Sequence, residues 1–203
     1  GCLSWQGWIS VVIYLLFGFL VTKIGYKFKS QKGIAEKRGG RRGPENVWGS
    51  AATGLFFAIM VKLNFANLLF YKIGFAASFA AKLADTFGSE IGKRFGGNTY
   101  LITSLRKVDR GTEGGISLEG TIASAIGSIF MSSIMLVLSI ITTSNQLLIV
   151  SISGFLATIS ESIIGAKFQE KYKLSNELVN AIQTSISSII AIFIYISYLN
   201  LSN

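Results

Sequence analysis

Residues 118–141, LEGTIASAIGSIFMSSIMLVLSII, carry a single charge, Glu119, in 24 positions. At about 1.5 Å of rise per residue such a run crosses the ~30 Å hydrocarbon core of a bilayer as one helix. Its small residues keep to one face: Gly120, Ser124, Gly127 and Ser128 recur at helical spacing. In lipid, small residues at that interval let helices approach closely. Five further runs read as spans, over about 3–22, 47–63, 73–92, 147–166 and 179–199. The run at 73–92 is the least clean, with Lys72 at its edge and Lys82 inside it. The only proline, Pro44, falls in a loop, so no span is kinked by one. The expected fold is all-α, a polytopic membrane helix bundle of about six transmembrane helices forming one integral membrane domain over residues 1–203.

Composition agrees. Half of the 203 residues are apolar and 14% are charged, against roughly 25% charged in a soluble domain; mean hydropathy is +0.53. A lone cysteine excludes a disulfide scaffold, and the absence of histidine excludes imidazole as base or metal ligand. The first apolar run is too long for a signal peptide and leads into a basic loop, so it reads as a helix. The chain begins with Gly1, and the expectation is a trimmed N-terminus with helices missing upstream.

Sixteen of the 19 basic side chains lie in residues 23–46, 93–110 and 167–173. Six alternating spans place all three segments on one side, which the positive-inside rule makes cytoplasmic, or stromal in a plastid. The net charge of +9 is then a topology signal that also attracts anionic lipid. Nucleic acid is not an expected partner, because the basic residues are juxtamembrane.

Ionisable residues inside a membrane are costly and mark function. Asp85, Glu90, Glu113, Glu119 and Glu161 all fall toward the basic end of their helices, as do Asn180 and Gln183. Local ion pairs account for some of them: Lys82 precedes Asp85 by three residues, and Lys93 and Arg94 follow Glu90 by three and four. Glu161 has no base within a turn. Gly154, Thr158, Glu161, Ser162 and Gly165 share one face of the fifth span, and Asn180, Thr184, Ser187 and Ala191 one face of the sixth.

The connection from Arg106 to Thr121 is the most informative. Arg106, Lys107 and Arg110 precede the glycine turn of Gly111, Thr112, Glu113, Gly114 and Gly115, which opens through Ser117 onto a helix N-terminus. Backbone N–H groups and nearby bases there suit an anion. The interleaved Glu113 and Glu119 would repel a bare phosphate, and they make sense if Mg²⁺ bridges carboxylate to phosphate. Gly88–Arg94 imitates a P-loop, but with one residue too few between its glycines and Arg94 where Ser or Thr belongs.

Four motifs form a set: RRGPENVWGS (41–50), KLADTFGSEIG (82–92), RGTEGGISLEGT (110–121) and ESIIGA (161–166). With NELVN (176–180) they resemble the integral-membrane family that contains phytyl-phosphate kinase of plastids and cyanobacteria, over roughly residues 36–195. Glu at both 113 and 119 is similar to the kinase branch in particular. The resemblance implies transfer of the γ-phosphoryl group of a nucleoside triphosphate, CTP being the expected donor, to phytyl phosphate. The product, phytyl diphosphate, feeds tocopherol and phylloquinone synthesis, and the implied setting is a cyanobacterial or plastid membrane.

Together the residues and the resemblance give expected roles. Asp85, Glu90 and Glu113 are expected to hold Mg²⁺, with Glu161 a further catalytic carboxylate. Lys93, Arg94, Lys107, Arg110, Gly111, Thr112, Gly114, Gly115 and Ser117 are expected to hold nucleotide and phosphate. Glu119, Asn46, Asn176 and Asn180 are expected to support them, with the phytyl tail between the last three spans. Rival readings are a lipid or small-anion transporter, a polyprenol kinase acting on the free alcohol, and a cytidylyltransferase.

Overall fold

The computed structural model describes residues 2–36, 38–40, 44–63 and 67–202, with side chains at all of these except 40, 44–46 and 202. Its helices are α1 (Ser4–Lys23), α2 (Tyr26–Gln31), α3 (Pro44–Leu63), α4 (Leu68–Phe95), α5 (Leu118–Val137), α6 (Ser144–Ile164) and α7 (Asn176–Ser202). Six of the seven correspond to the six expected spans, and α2 is an addition. α1, α5, α6 with the turn that follows it, and α7 are each long and apolar enough to cross a membrane. α3 is apolar over the shorter stretch Val47–Leu63.

α4 is different because it carries the charges. It lies at the centre, packed against α1, α3, α5, α6 and α7. Every residue from Ile73 to Ala84 is buried. Sequence explains the close approach: Gly74, Ala76, Ala77, Ser78, Ala80, Ala81 and Ala84 leave little side chain between the axes. Neighbours bond its main chain directly, Ser187 and Ser188 of α7 donating to the carbonyls of Ala77 and Gly74 at 2.9 and 2.8 Å. From α5, Gly120 and Gly127 pack on α4, and Gly154 of α6 packs on Ser128 and Ala81. The outer faces are apolar, with Ile122, Ile126 and Ile129 of α5 and Ile189 and Phe193 of α7 exposed.

Element ends differ from the expected spans for local reasons. α5 stops at Val137, four residues early, because Ser139 takes φ 56° and the N–H groups of Ile140 and Ile141 turn back to the Met135 carbonyl. That turn buries both isoleucines. α6 starts at Ser144, where Thr143 and Gln146 form a capping box. It ends in a π-helical turn, Gly165–Gln169. The α4–α5 connection, read from sequence as a glycine turn, also holds a small antiparallel sheet in the order β2-β1-β3, built from β1 (Thr99–Leu101), β2 (Lys107–Val108) and β3 (Gly115–Ile116). Thr99 pairs with Val108, and Leu101 with Gly115.

The connections α1–α3, α4–α5 and α6–α7 meet at one end of the bundle, as the charge pattern required. Lys29 of α2 reaches Glu90, Ile34 covers Gly111 and Gly114 lies on Ala166. At the other end, Asn145 donates to the Tyr198 hydroxyl.

The packing at Gly154 leaves no room for a side chain. A Cβ there would sit 2.4 Å from Ser128 Oγ and 3.0 Å from the Ala81 nitrogen. Gly154→Val should therefore lower the thermal midpoint in detergent, at an overpacking cost of about 1–3 kcal/mol. An unchanged midpoint would show that α6 does not seat on α4 in this way.

Candidate active site

α4 carries one polar stripe. Lys82, Asp85, Thr86, Ser89, Glu90 and Lys93 recur every three or four residues and face a cavity of about 640 Å³ at the basic end. α5 and its N-cap add Ser117, Gly120 and Ser124; α6 adds Phe155, Thr158, Ile159, Glu161 and Ser162; α7 adds Asn176, Glu177, Val179 and Asn180. Residues 33–36 and the 111–117 connection cover it. The turn at 111–115 needs its glycines, since Gly111 and Gly114 take φ +85° and +71°. A Cβ on Gly114 would lie 2.6 Å from the Ser162 carbonyl, so this turn seats directly on α6.

Three lysines order the stripe through four ion pairs among the described residues. Lys82 Nζ donates to Asp85 Oδ2 at 2.5 Å and to Asn180 Oδ1 at 2.7 Å. Lys29, fully buried, donates to Glu90 Oε2 and to the Thr22 carbonyl. Lys93 lies 3.4 Å from Glu90 Oε1 and 3.7 Å from Glu36 Oε1. Glu113 and Glu161 face the same cavity with no hydrogen bond or ion pair among the described residues. Glu113 is exposed, yet the partial desolvation of its carboxyl at the cavity raises its pKa; Lys93 opposes this, while Asp85 and Glu36 add to it. Glu161 feels the same field, close to Asp85 and Glu113 with Lys82 and Lys93 opposite.

The lining is therefore acidic inside a basic protein. Glu36, Asp85, Glu90, Glu113, Glu161 and Glu177 face it against Arg38, Lys82 and Lys93. In such a lining a bare phosphate would meet more carboxylate than ammonium groups. Among the described residues no three Asp, Glu or Cys side chains meet as a ligand set, so Asp85, Glu90 and Glu113 do not form a closed metal cage. Mg²⁺ needs only one or two carboxylates beside water and phosphate oxygens. The unpartnered Glu113 and Glu161 fit that requirement, and the doubly paired Glu90 does not.

The other expected residues divide. Asp85, Glu161, Lys93, Gly111, Thr112, Gly114, Gly115, Ser117, Asn176 and Asn180 all line the cavity. Arg94, Lys107 and Arg110 are not brought to it. The Arg94 guanidinium stacks on Phe28 and Phe95, each 4.8 Å away. Arg110 donates to the Arg94 carbonyl at 3.2 Å, and Lys107 is exposed on β2. Glu119 accepts from the Gly97 N–H at 3.2 Å and so ties the connection to α5. The Asn46 side chain lies outside the described residues. An apolar groove runs between α1 and α3, lined by Trp8, Val12, Trp48 and Leu55 and floored by Phe75 and Phe79; the phytyl tail was expected elsewhere, between α5, α6 and α7. Sequence reading missed Lys29 and Glu36, and took Lys82 only as a partner for Asp85. Nothing local marks Lys29, which sits among seven other bases of its segment.

A helix bundle with a charged, membrane-end cavity of this kind defines an integral membrane protein with a polar ligand site. Comparison with known proteins makes it particular: the chain matches the integral membrane protein DUF92 family over residues 1–190 and belongs to it. It is 43% identical to an uncharacterized membrane protein of Synechocystis, over 94% of this chain and 74% of the relative. It is 41% identical to the chloroplastic protein VTE6 of Arabidopsis thaliana, over 95% of this chain and 61% of VTE6. An uncharacterized membrane protein of Methanocaldococcus jannaschii is 31% identical, with 92% and 75% covered. No solved structure matches the chain.

The Lys29–Glu90 pair closes α2 onto α4, and breaking a buried pair from one side costs about 3–5 kcal/mol. Lys29→Met should lower the thermal midpoint sharply, and Lys29→Met with Glu90→Gln should recover much of it, because no charge is then stranded. A single variant as stable as the parent would show that the pair does not hold α2 in place.

Proposed function

We propose that this protein is a membrane-embedded phytyl-phosphate kinase, transferring the γ-phosphoryl group of a nucleoside triphosphate, CTP in the first instance, to phytyl phosphate. The observation that carries the reading is the pair of unpartnered carboxylates, Glu113 and Glu161, facing Lys82 and Lys93 across one cavity at the basic end. Family membership and 41% identity to the chloroplastic VTE6 protein support it. So does the meeting, in one cavity, of residues from four of the sequence motifs that carried the resemblance.

Phosphoryl transfer is mostly positioning and charge neutralisation, so a chain without histidine can perform it. The acceptor is a phosphate monoester, already an anion, whose oxygen attacks the γ-phosphorus while the nucleoside diphosphate leaves. No strong base is required of the protein. Lys93 and the glycine turn would hold donor phosphates, while Lys82, fixed by Asp85 and Asn180, would hold the acceptor side. Glu113 and Glu161, with Asp85 beside them, would hold Mg²⁺, which supplies charge neutralisation between the two phosphate groups. Glu90 acts through Lys29 and Lys93, as a positioning residue.

Purified protein given phytyl phosphate, Mg²⁺ and each nucleoside triphosphate should yield phytyl diphosphate and a nucleoside diphosphate. Pyrophosphate release would mark a cytidylyltransferase, turnover of free phytol an alcohol kinase, and no nucleotide consumption a transporter. Glu113→Gln should lower turnover by about 100-fold or more, the scale of losing one group that stabilises transition-state charge, with the thermal midpoint kept; near-normal turnover removes Glu113 from the site.

The raised Glu113 pKa has a signed consequence. A proton competes for that carboxylate at higher pH than for an ordinary glutamate. The Mg²⁺ concentration giving half-maximal activity should rise as pH falls through that raised value. A titration showing no such rise above the normal carboxylate range would contradict cation binding at Glu113.

A further inference from the structure

Lys82 is the deepest cation of the cavity. It is 3% exposed, and below it α4 closes against its neighbours through Ala81, Ala80 and Ala77, all fully buried. Eleven residues of helix separate Lys82 from Lys93, about 16 Å of rise. The two lysines differ in surroundings. Lys93 is partly exposed, beside Glu36 of the covering segment, and shares the cavity mouth with the glycine turn at 111–115. Lys82 shares the floor with Asn180 and with apolar Phe155, Ile159 and Val179. An ammonium has three donors. Asp85 and Asn180 take two of them, which fixes the head group and leaves one N–H for a ligand in the cavity.

From this polarity we infer that the cavity has two phosphate subsites of different origin: a floor site at Lys82 and Asn180 for the phosphate monoester of a lipid-borne substrate, and a mouth site at Lys93 and the glycine turn for the phosphates of a water-borne nucleotide. The inference rests on the phosphotransfer reading and assigns its substrates to places. A phosphate carried on an isoprenoid would meet at the floor a cation that is already desolvated and held. A nucleotide arrives from water and meets donors at the rim. Asp85 follows Lys82 by one turn of α4, while Glu113 of the glycine turn and Glu161 of α6 line the same cavity.

Steady-state kinetics of Lys82→Met and Lys93→Met separate the subsites. Lys82→Met should raise the KM for phytyl phosphate about 10- to 100-fold, the range for losing a hydrogen bond from a charged group, with the nucleotide KM unchanged. Lys93→Met should do the reverse. An unchanged nucleotide KM in Lys82→Met also reports that the variant is folded. Asn180→Ala, which keeps the Lys82–Asp85 pair, should raise the acceptor KM alone. A rise in both constants together, a change confined to kcat, or no change in either overturns the assignment. Equilibrium binding keeps the inference testable apart from turnover: wild-type protein should bind phytyl phosphate in preference to phytol, and Lys82→Met should lose the preference. If wild-type protein transfers phosphate from no nucleotide, the kinase reading fails while this binding comparison still decides the floor site. Equal binding of phytyl phosphate and phytol by wild-type protein overturns the floor site even if the kinase reading stands.

Discussion

A helix that carries Lys82, Asp85, Glu90 and Lys93 within four turns cannot face hydrocarbon, and the rest of the bundle is arranged around that constraint. α4 takes the centre, and five helices shield it. Its polar groups meet partners from far along the chain: Lys29 of α2 neutralises Glu90, and Asn180 of α7 accepts a hydrogen bond from Lys82. Between Ile73 and Ala81 its many small residues let it pack tightly. The remaining polar half is left facing a cavity. Close packing below and polarity above follow from one helix with two compositions.

The pairing inside the cavity is incomplete, and this gives it a chemical use. Glu90 is held from both sides by Lys29 and Lys93, and Asp85 by Lys82. Glu113 and Glu161 are left over, one from the glycine turn and one from α6. Glu113 is exposed and Glu161 half-buried, and a carboxylate drawn partway out of water without a partner is costly in proportion. On the proposed reading, a cation that arrives with phosphate would relieve that cost. Residues 33–36 and the small sheet hold the cover in place, with Ile34 on Gly111 and Glu36 beside Lys93.

The helical bundle and the common end of the three basic segments were legible because hydrophobic length and charge bias act along the chain, one segment at a time. The separation of packing from function was legible in part. Gly120, Gly127, Gly154 and Ser187 pack against α4, while Thr158, Glu161 and Ser162 on the same α6 face line the cavity instead. Helical spacing alone cannot tell those apart, since it fixes a face and not what lies opposite. Lys29 was hidden because a basic loop is read as solvated, and only a 61-residue separation closed in space reveals Glu90 as its partner. Arg94 and Arg110 were misplaced for the converse reason. Next to a glycine turn they resemble phosphate ligands, yet Phe28 offers both a nearer aromatic face.

The central claim is that donor phosphates and Mg²⁺ meet at Glu113 and Glu161 in the α4 cavity. The most direct measurement is an experimental structure of the protein in lipid nanodiscs with Mg²⁺ and a non-hydrolysable CTP analogue. The account predicts metal density against Glu113 and Glu161, with the triphosphate between Lys93 and the 111–115 turn. Nucleotide bound elsewhere on the protein, or metal density away from both carboxylates, would contradict it.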